Sequence, residues 1–149
     1  MKKIIVLSIM LAAIGIAMPA MAQLRKVPAE VTEAFREKYP DSKNVEWKDR
    51  LSAFQVDYEL GDTHFTSKFS SKGEWLQTET AIGEAALPGE VKEGFGKSKF
   101  TAWELKSVAR IENKDSDIQY RLMVRKSGVE KKYLYFDETG KLLKDSFTL

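Results

Sequence analysis

Tyr120-Arg121-Leu122-Met123-Val124-Arg125-Lys126-Ser127-Gly128-Val129-Glu130-Lys131-Lys132-Tyr133-Leu134-Tyr135-Phe136 is the stretch whose reading decides the fold. Tyr120, Leu122 and Val124 alternate with Arg121 and Met123, the period of a half-buried strand. Leu134 and Phe136 alternate with Tyr133 and Tyr135 in the same way. The loop between the two strands sets which residues face each other. A two-residue turn at Ser127-Gly128 would pair Leu122 with Tyr133 and set Leu134 opposite Arg121. A three-residue loop, Ser127-Gly128-Val129, pairs Leu122 with Leu134 and Tyr120 with Phe136. Only the second choice gives one consistently apolar face, and a slip of one residue turns every side chain over. The expected core is therefore Tyr120, Leu122, Val124, Leu134, Phe136 and Leu142. Arg121, Met123, Tyr133, Tyr135 and Leu143 are expected on the opposite face.

The same pattern stands earlier in the chain. Phe54, Val56 and Tyr58 alternate with Gln55 and Asp57, Gly61-Asp62 reads as a two-residue hairpin turn, and Ser67 and Phe69 lie on the returning strand. Phe69-Ser70-Ser71-Lys72-Gly73-Glu74-Trp75-Leu76 corresponds to Phe136-Asp137-Glu138-Thr139-Gly140-Lys141-Leu142-Leu143. The first-half core is then Phe54, Val56, Tyr58, Ser67, Phe69 and Trp75, with Gln55, Asp57, Thr66, Lys68 and Leu76 on the other face. A first strand is expected around Val45 and Trp47. Each block is preceded by a helix: Val27-Pro28-Ala29-Glu30-Val31 recurs as Leu87-Pro88-Gly89-Glu90-Val91. Both prolines suit the first helical position. Val27, Val31, Phe35 and Tyr39 form an apolar stripe. Gly94 and Gly96 weaken the second helix. The expected fold is α+β: a tandem repeat of one helix plus a four-stranded antiparallel meander, over residues 23–82 and 83–149. The helices cover one face of the sheet or sheets and the other face is open.

Lys2-Lys3, the apolar run Ile4–Met18 and Pro19-Ala20-Met21-Ala22 read as a secretory signal, residues 1–22, cut after Ala22. The mature chain is expected to be soluble, in the periplasm or secreted, with no membrane span. Removing two lysines and no acid leaves 22 basic residues against 22 acidic ones. A nucleic-acid partner, which calls for a clustered basic excess, is not expected. The chain has no cysteine, so thiol nucleophiles, thiolate metal sites and disulfides are excluded.

The helix start Val27-Pro28 through Phe35, with Tyr39-Pro40 and Val45-Glu46-Trp47, is joined by Leu87-Pro88, Val91, Phe95 and the ending Tyr133–Leu143. In that order and doubled, these segments resemble the PepSY-like family of secreted bacterial proteins, also described as β-lactamase-inhibitor-protein-like. The resemblance implies helices packed on one face of antiparallel sheets. It also implies domains that bind or inhibit proteins rather than catalyse reactions. No functional residue is carried over, because fold does not fix function.

Chemistry has few candidates. His64, the sole histidine, sits on a strand and points away from the apolar set, with no nucleophile motif beside it. Carboxylates are plentiful but scattered, which leaves a hydrolase built on them as an alternative. Asn113, Asp115 and Asp117 partly resemble the start of a calcium loop, although Ile118 replaces its glycine and Val124 its final glutamate. A calcium-responsive envelope protein is thus another alternative, and no other cofactor is expected. The aromatic outer face of Arg121, Met123, Tyr133, Tyr135 and Leu143 is the leading binding candidate. The expected function is a secreted, non-enzymatic binding or inhibitory module recognising a protein, peptide or other envelope ligand. Homodimer packing through the same face is the competing use of it.

Overall fold

A computed structural model describes residues 26–148. The expected signal peptide, residues 1–22, lies outside the described residues. The elements run α1 (Ala29–Lys38), β1 (Lys43–Asp49), β2 (Phe54–Leu60), β3 (Thr63–Phe69), β4 (Trp75–Ile82), a 3-10 turn (Glu84–Ala86), α2 (Gly89–Gly96), β5 (Glu104–Asn113), β6 (Ile118–Arg125), β7 (Lys131–Asp137) and β8 (Leu142–Phe147). The fold is α+β. All eight strands form one antiparallel sheet in sequence order. β4 pairs with β5 at the middle of this sheet, from Gln77 opposite Asn113 to Ile82 opposite Val108.

The register follows the apolar alternation. Leu122 faces Leu134 and Tyr120 faces Phe136, with Arg125 opposite Lys131 closing the loop. One row of neighbours crosses the sheet through Tyr58, Phe65, Thr80, Arg110, Tyr120, Phe136 and Leu142. Residues of this row pack beneath α1 at one end and α2 at the other, so both helices share one face. Val31 and Phe35 of α1 bury against Phe54, Val56, Tyr58 and Phe69. Phe35 sits at the centre, with ring centroids 5.0 Å from Tyr58 and 5.4 Å from Trp47. Leu87 and Val91 bury against Val108, Tyr120, Leu122, Val124, Leu134 and Phe136. Burial of such side chains is worth about 1.5–3 kcal/mol each. Leu142 and Trp75, expected in the core, are half-buried at its margins.

Ser67 is fully buried, and a hydroxyl chain accounts for it. Tyr58 OH and Ser67 Oγ are 3.0 Å apart, and Ser67 Oγ lies 2.7 Å from Thr78 Oγ1. Thr78 Oγ1 also accepts from Trp75 Nε1 at 2.8 Å and lies 2.6 Å from Tyr39 OH. Buried polar groups persist when paired in this way. Burial pushes the Tyr58 phenol well above its ordinary pKa.

Two local expectations change. Pro28 and Pro88 occupy the N-cap, one residue before the first helical position, with ψ of 152° and 148°. An extended ψ lets each proline start the helix through its carbonyl, which accepts from Thr32 and Lys92 respectively. The second change concerns the glycine in α2. A Cβ on Gly94 would lie 1.9 Å from the Gly140 carbonyl oxygen, and one on Gly140 would lie 2.0 Å from that of Glu90. The β7–β8 turn therefore rests directly on α2, and Gly94 makes room for it. On α1 the β3–β4 turn is set less tightly. There Gly73 approaches the Glu30 carbonyl, and Ala34 takes the place of Gly94.

Candidate functional site

The sheet face away from the helices is reached from β6 and β7 first. Leu122 and Val124 point to the core, so Arg121 and Met123 point outward; Leu134 and Phe136 do the same for Tyr133 and Tyr135. Arg121 stands opposite Tyr135, and Met123 opposite Tyr133. All four are half-buried. The Arg121 guanidinium lies 4.5 Å from the Tyr133 ring centroid, and Lys144 Nζ lies 4.3 Å from that of Tyr135. Such stacking fixes a cation over a ring face and is worth about 0.5–1 kcal/mol at exposed sites.

Leu143 sits at the edge of this face rather than within the cluster. An irregular step in the β7–β8 pairing, between Tyr135 and Phe136, leaves it as the extra residue of β8. It is 43% exposed and lines a depression with Gln119, Asp137 and Glu138. Leu76, expected on the outer face of the first half, falls at the corresponding irregular step between β3 and β4, and Gln77 takes the position opposite Lys68. A bulge adds one residue to a strand and so changes its alternation, which a strict period of two does not anticipate.

Sequence reasoning missed a tie across the middle of the sheet. Arg121 on β6 hydrogen-bonds Glu79 on β4, spanning β5. Ala109 and Ile111 occupy the outward positions of β5 between them, opposite Arg121 and Glu79 respectively. They are only 5% and 7% exposed, on a face that carries neither α1 nor α2. Burial pushes the Glu79 carboxyl above its ordinary pKa, against the opposing pull of Arg121 and Lys68. Beyond Glu79 the first half presents a polar network. Asp57 accepts from Lys48 Nζ at 2.7 Å and from Thr66 Oγ1 at 2.6 Å. Burial opposes ionisation of Asp57, but bonds from Lys48, Thr66 and Gln55 outweigh it and hold its pKa low.

Asn113, Asp115 and Asp117 are brought together as a turn. Asn113 Oδ1 accepts the backbone N–H groups of Asp115 and Asp117, both at 3.0 Å. Ser70 Oγ does the same for Lys72 and Glu74, and Asp137 Oδ1 for Thr139 and Lys141. The Thr139 hydroxyl and these backbone bonds hold the Asp137 carboxyl below its usual pKa. The three loops share one way of closing a tight turn. Among the described residues, no group of three or more histidines or carboxylates is placed to hold a metal ion. His64 is exposed and stands opposite Glu59. A groove of about 490 Å³ also lies between α1 and β1, lined by Phe35, Tyr39, Trp47 and the exposed Val45. The sequence pattern hid it because the pairing of β1 is irregular between Lys43 and Glu46.

Residues 54–144 match the family model described as "Putative beta-lactamase-inhibitor-like, PepSY-like". No curated protein matches the chain. Among solved structures, a DUF2874 family protein from Bacteroides uniformis aligns with a TM-score of 0.75 at 18% identity, over 82% of this chain and 90% of that one. A chain from Bacteroides eggerthii, described among "putative periplasmic proteins", gives 0.75 at 18% identity over 83% and 90%. A BLIP-like protein from Bacteroides fragilis gives 0.69 at 24% identity over 85% and 89%. At these identities the likeness establishes the fold. No helix among the described residues is long and apolar enough to cross a membrane.

Proposed function

Since the chain belongs to the PepSY-like, β-lactamase-inhibitor-like family, we propose that it is a secreted, periplasmic, non-enzymatic module that binds or inhibits a protein or peptide of the cell envelope through its open sheet face. We take it as two units of one helix-and-meander plan, residues 23–82 and 83–149, fused along β4 and β5. The observation that carries the reading is the outward set Arg121, Met123, Tyr133 and Tyr135. Tyrosine and arginine are favoured anchors at contacts, and here they stand on a rigid scaffold with no helix above them among the described residues. The location rests on the signal-like start of the sequence and on the periplasmic description of a structural relative. A hydrolytic reading finds less support. Among the described residues the carboxyl held above its ordinary pKa is Glu79, and its partner is Arg121 rather than a second acid.

The test uses the mature protein as bait in a native envelope extract. Tyr133→Ala with Tyr135→Ala is expected to lose the captured partner while the circular dichroism spectrum and melting temperature stay close to those of the parent. Retention of the partner by that variant would remove the face from the reading. Recovery of the bait protein alone would assign the face to a homodimer.

A further inference from the structure

We infer that the open face of β6–β8 accepts an extended, acidic segment of a partner protein. The inference deepens the face-binding reading above and rests on it. The outward positions of these three strands carry four cations: Arg121, Arg125, Lys131 and Lys144. They carry one acid, Asp137, whose Oδ1 is already taken up by the turn at Thr139 and Lys141. Lys131 and Lys144 have no ion pair among the described residues. Arg121 and Arg125 reach toward β4 and β5, to Glu79 and Glu104. The outward face of β2–β4 has the opposite balance, with Asp57, Glu59 and Glu79 against Lys68. The sheet thus changes sign across its junction, although the mature chain is formally neutral.

The rings give this basic strip its form. Tyr133 holds the Arg121 guanidinium and Tyr135 holds the Lys144 ammonium, so both cations are ordered before any partner arrives. Ordering in advance lowers the entropy cost of contact. The strip is also short. Arg121 and Arg125 are four residues apart on β6, about 13 Å along a strand. Glu104 stands beside Arg125 at one end and Asp137 at the other. Two or three carboxylates fit that length. A longer polyanion would have to pass over Glu104 or Asp137, and a flat anionic bilayer would meet both. An extended peptide places every second side chain on one face, matching cations spaced along and across strands.

The probe is a fluorescein-labelled decapeptide of alternating glutamate and threonine, with its lysine–threonine counterpart, titrated by anisotropy into the mature protein. The acidic peptide is expected to bind and the basic one not. Lys131→Glu with Lys144→Glu is expected to weaken binding at least tenfold, and added salt to weaken it further. Amide resonance shifts are expected on β6–β8. No binding up to about 1 mM, equal binding of the basic peptide, or indifference to charge reversal overturns the inference. So does charge-dependent binding of phosphatidylglycerol vesicles in place of the peptide, or self-association that charge reversal abolishes. The envelope capture separates the two readings. If the tyrosine variant loses the partner and the charge-reversed variant keeps it, the acidic segment is wrong and the face stands. If both keep it, the face reading falls as well.

Discussion

Gly94 shows how a single residue answers to neighbours far along the chain. Inside a helix, glycine costs about 1 kcal/mol relative to alanine, and the sequence alone marks α2 as the weaker helix for that reason. The structure gives the compensation: the Gly140 carbonyl would lie 1.9 Å from a Cβ at that position. Backbone cannot yield there as a flexible side chain would. Gly96 ends the same helix with nothing within 4 Å of a Cβ. The two glycines therefore predict opposite results. Gly94→Ala should lose about 1–3 kcal/mol, the ordinary cost of overpacking. Gly96→Ala should gain about 0.4–1 kcal/mol by restricting the unfolded chain. Urea melts of the two variants check both signs. A stabilised Gly94→Ala would mean that the turn does not press on α2.

At the scale of elements, β7 depends on the length of the loop before it. Val129 is 95% exposed, so its side chain contributes little. Its presence in the backbone sets the phase of everything that follows. Deleting Val129 would shorten the loop and drive Tyr133 and Tyr135 toward α2 while Leu134 and Phe136 turned to water. Val129→Ser should change stability by no more than about 0.5 kcal/mol, whereas the deletion should cost several kcal/mol, about 1.5–3 for each core side chain exposed. Equal effects in chemical melts would show that the loop does not fix the register. This register was legible in the sequence because Leu122, Leu134, Tyr120 and Phe136 satisfy only one alignment. The bulges at Leu76 and Leu143 were not legible, since a strict period of two carried straight through each strand has no place for an extra residue. The Arg121–Glu79 bridge was hidden for a different reason. Its geometry exists only once β4 and β5 are adjacent, and no local pattern states which edges meet.

For the whole molecule, the question is whether one sheet means one cooperative unit. The β4–β5 ladder is continuous, and Arg121 ties β6 to β4 across it on the open face. Beneath the helices the picture differs. The apolar clusters under α1 and α2 are separate, and the junction between them is lined by Thr78, Thr80, Arg110 and Glu112. Hydrogen-bonded strands transmit less stability than a shared apolar core, because each such bond nets only about 0.5–1.5 kcal/mol. The halves should therefore open at different free energies, as foldons within one structure. Leu122→Ala removes a fully buried side chain from the second cluster and should cost about 2–5 kcal/mol there. Native-state hydrogen exchange is expected to show that loss on the amides of β6 and β7, with β2 and β3 keeping most of their protection. An equal fall in all four strands would mean that the junction couples the halves fully, and that the division at residues 82 and 83 has no energetic counterpart.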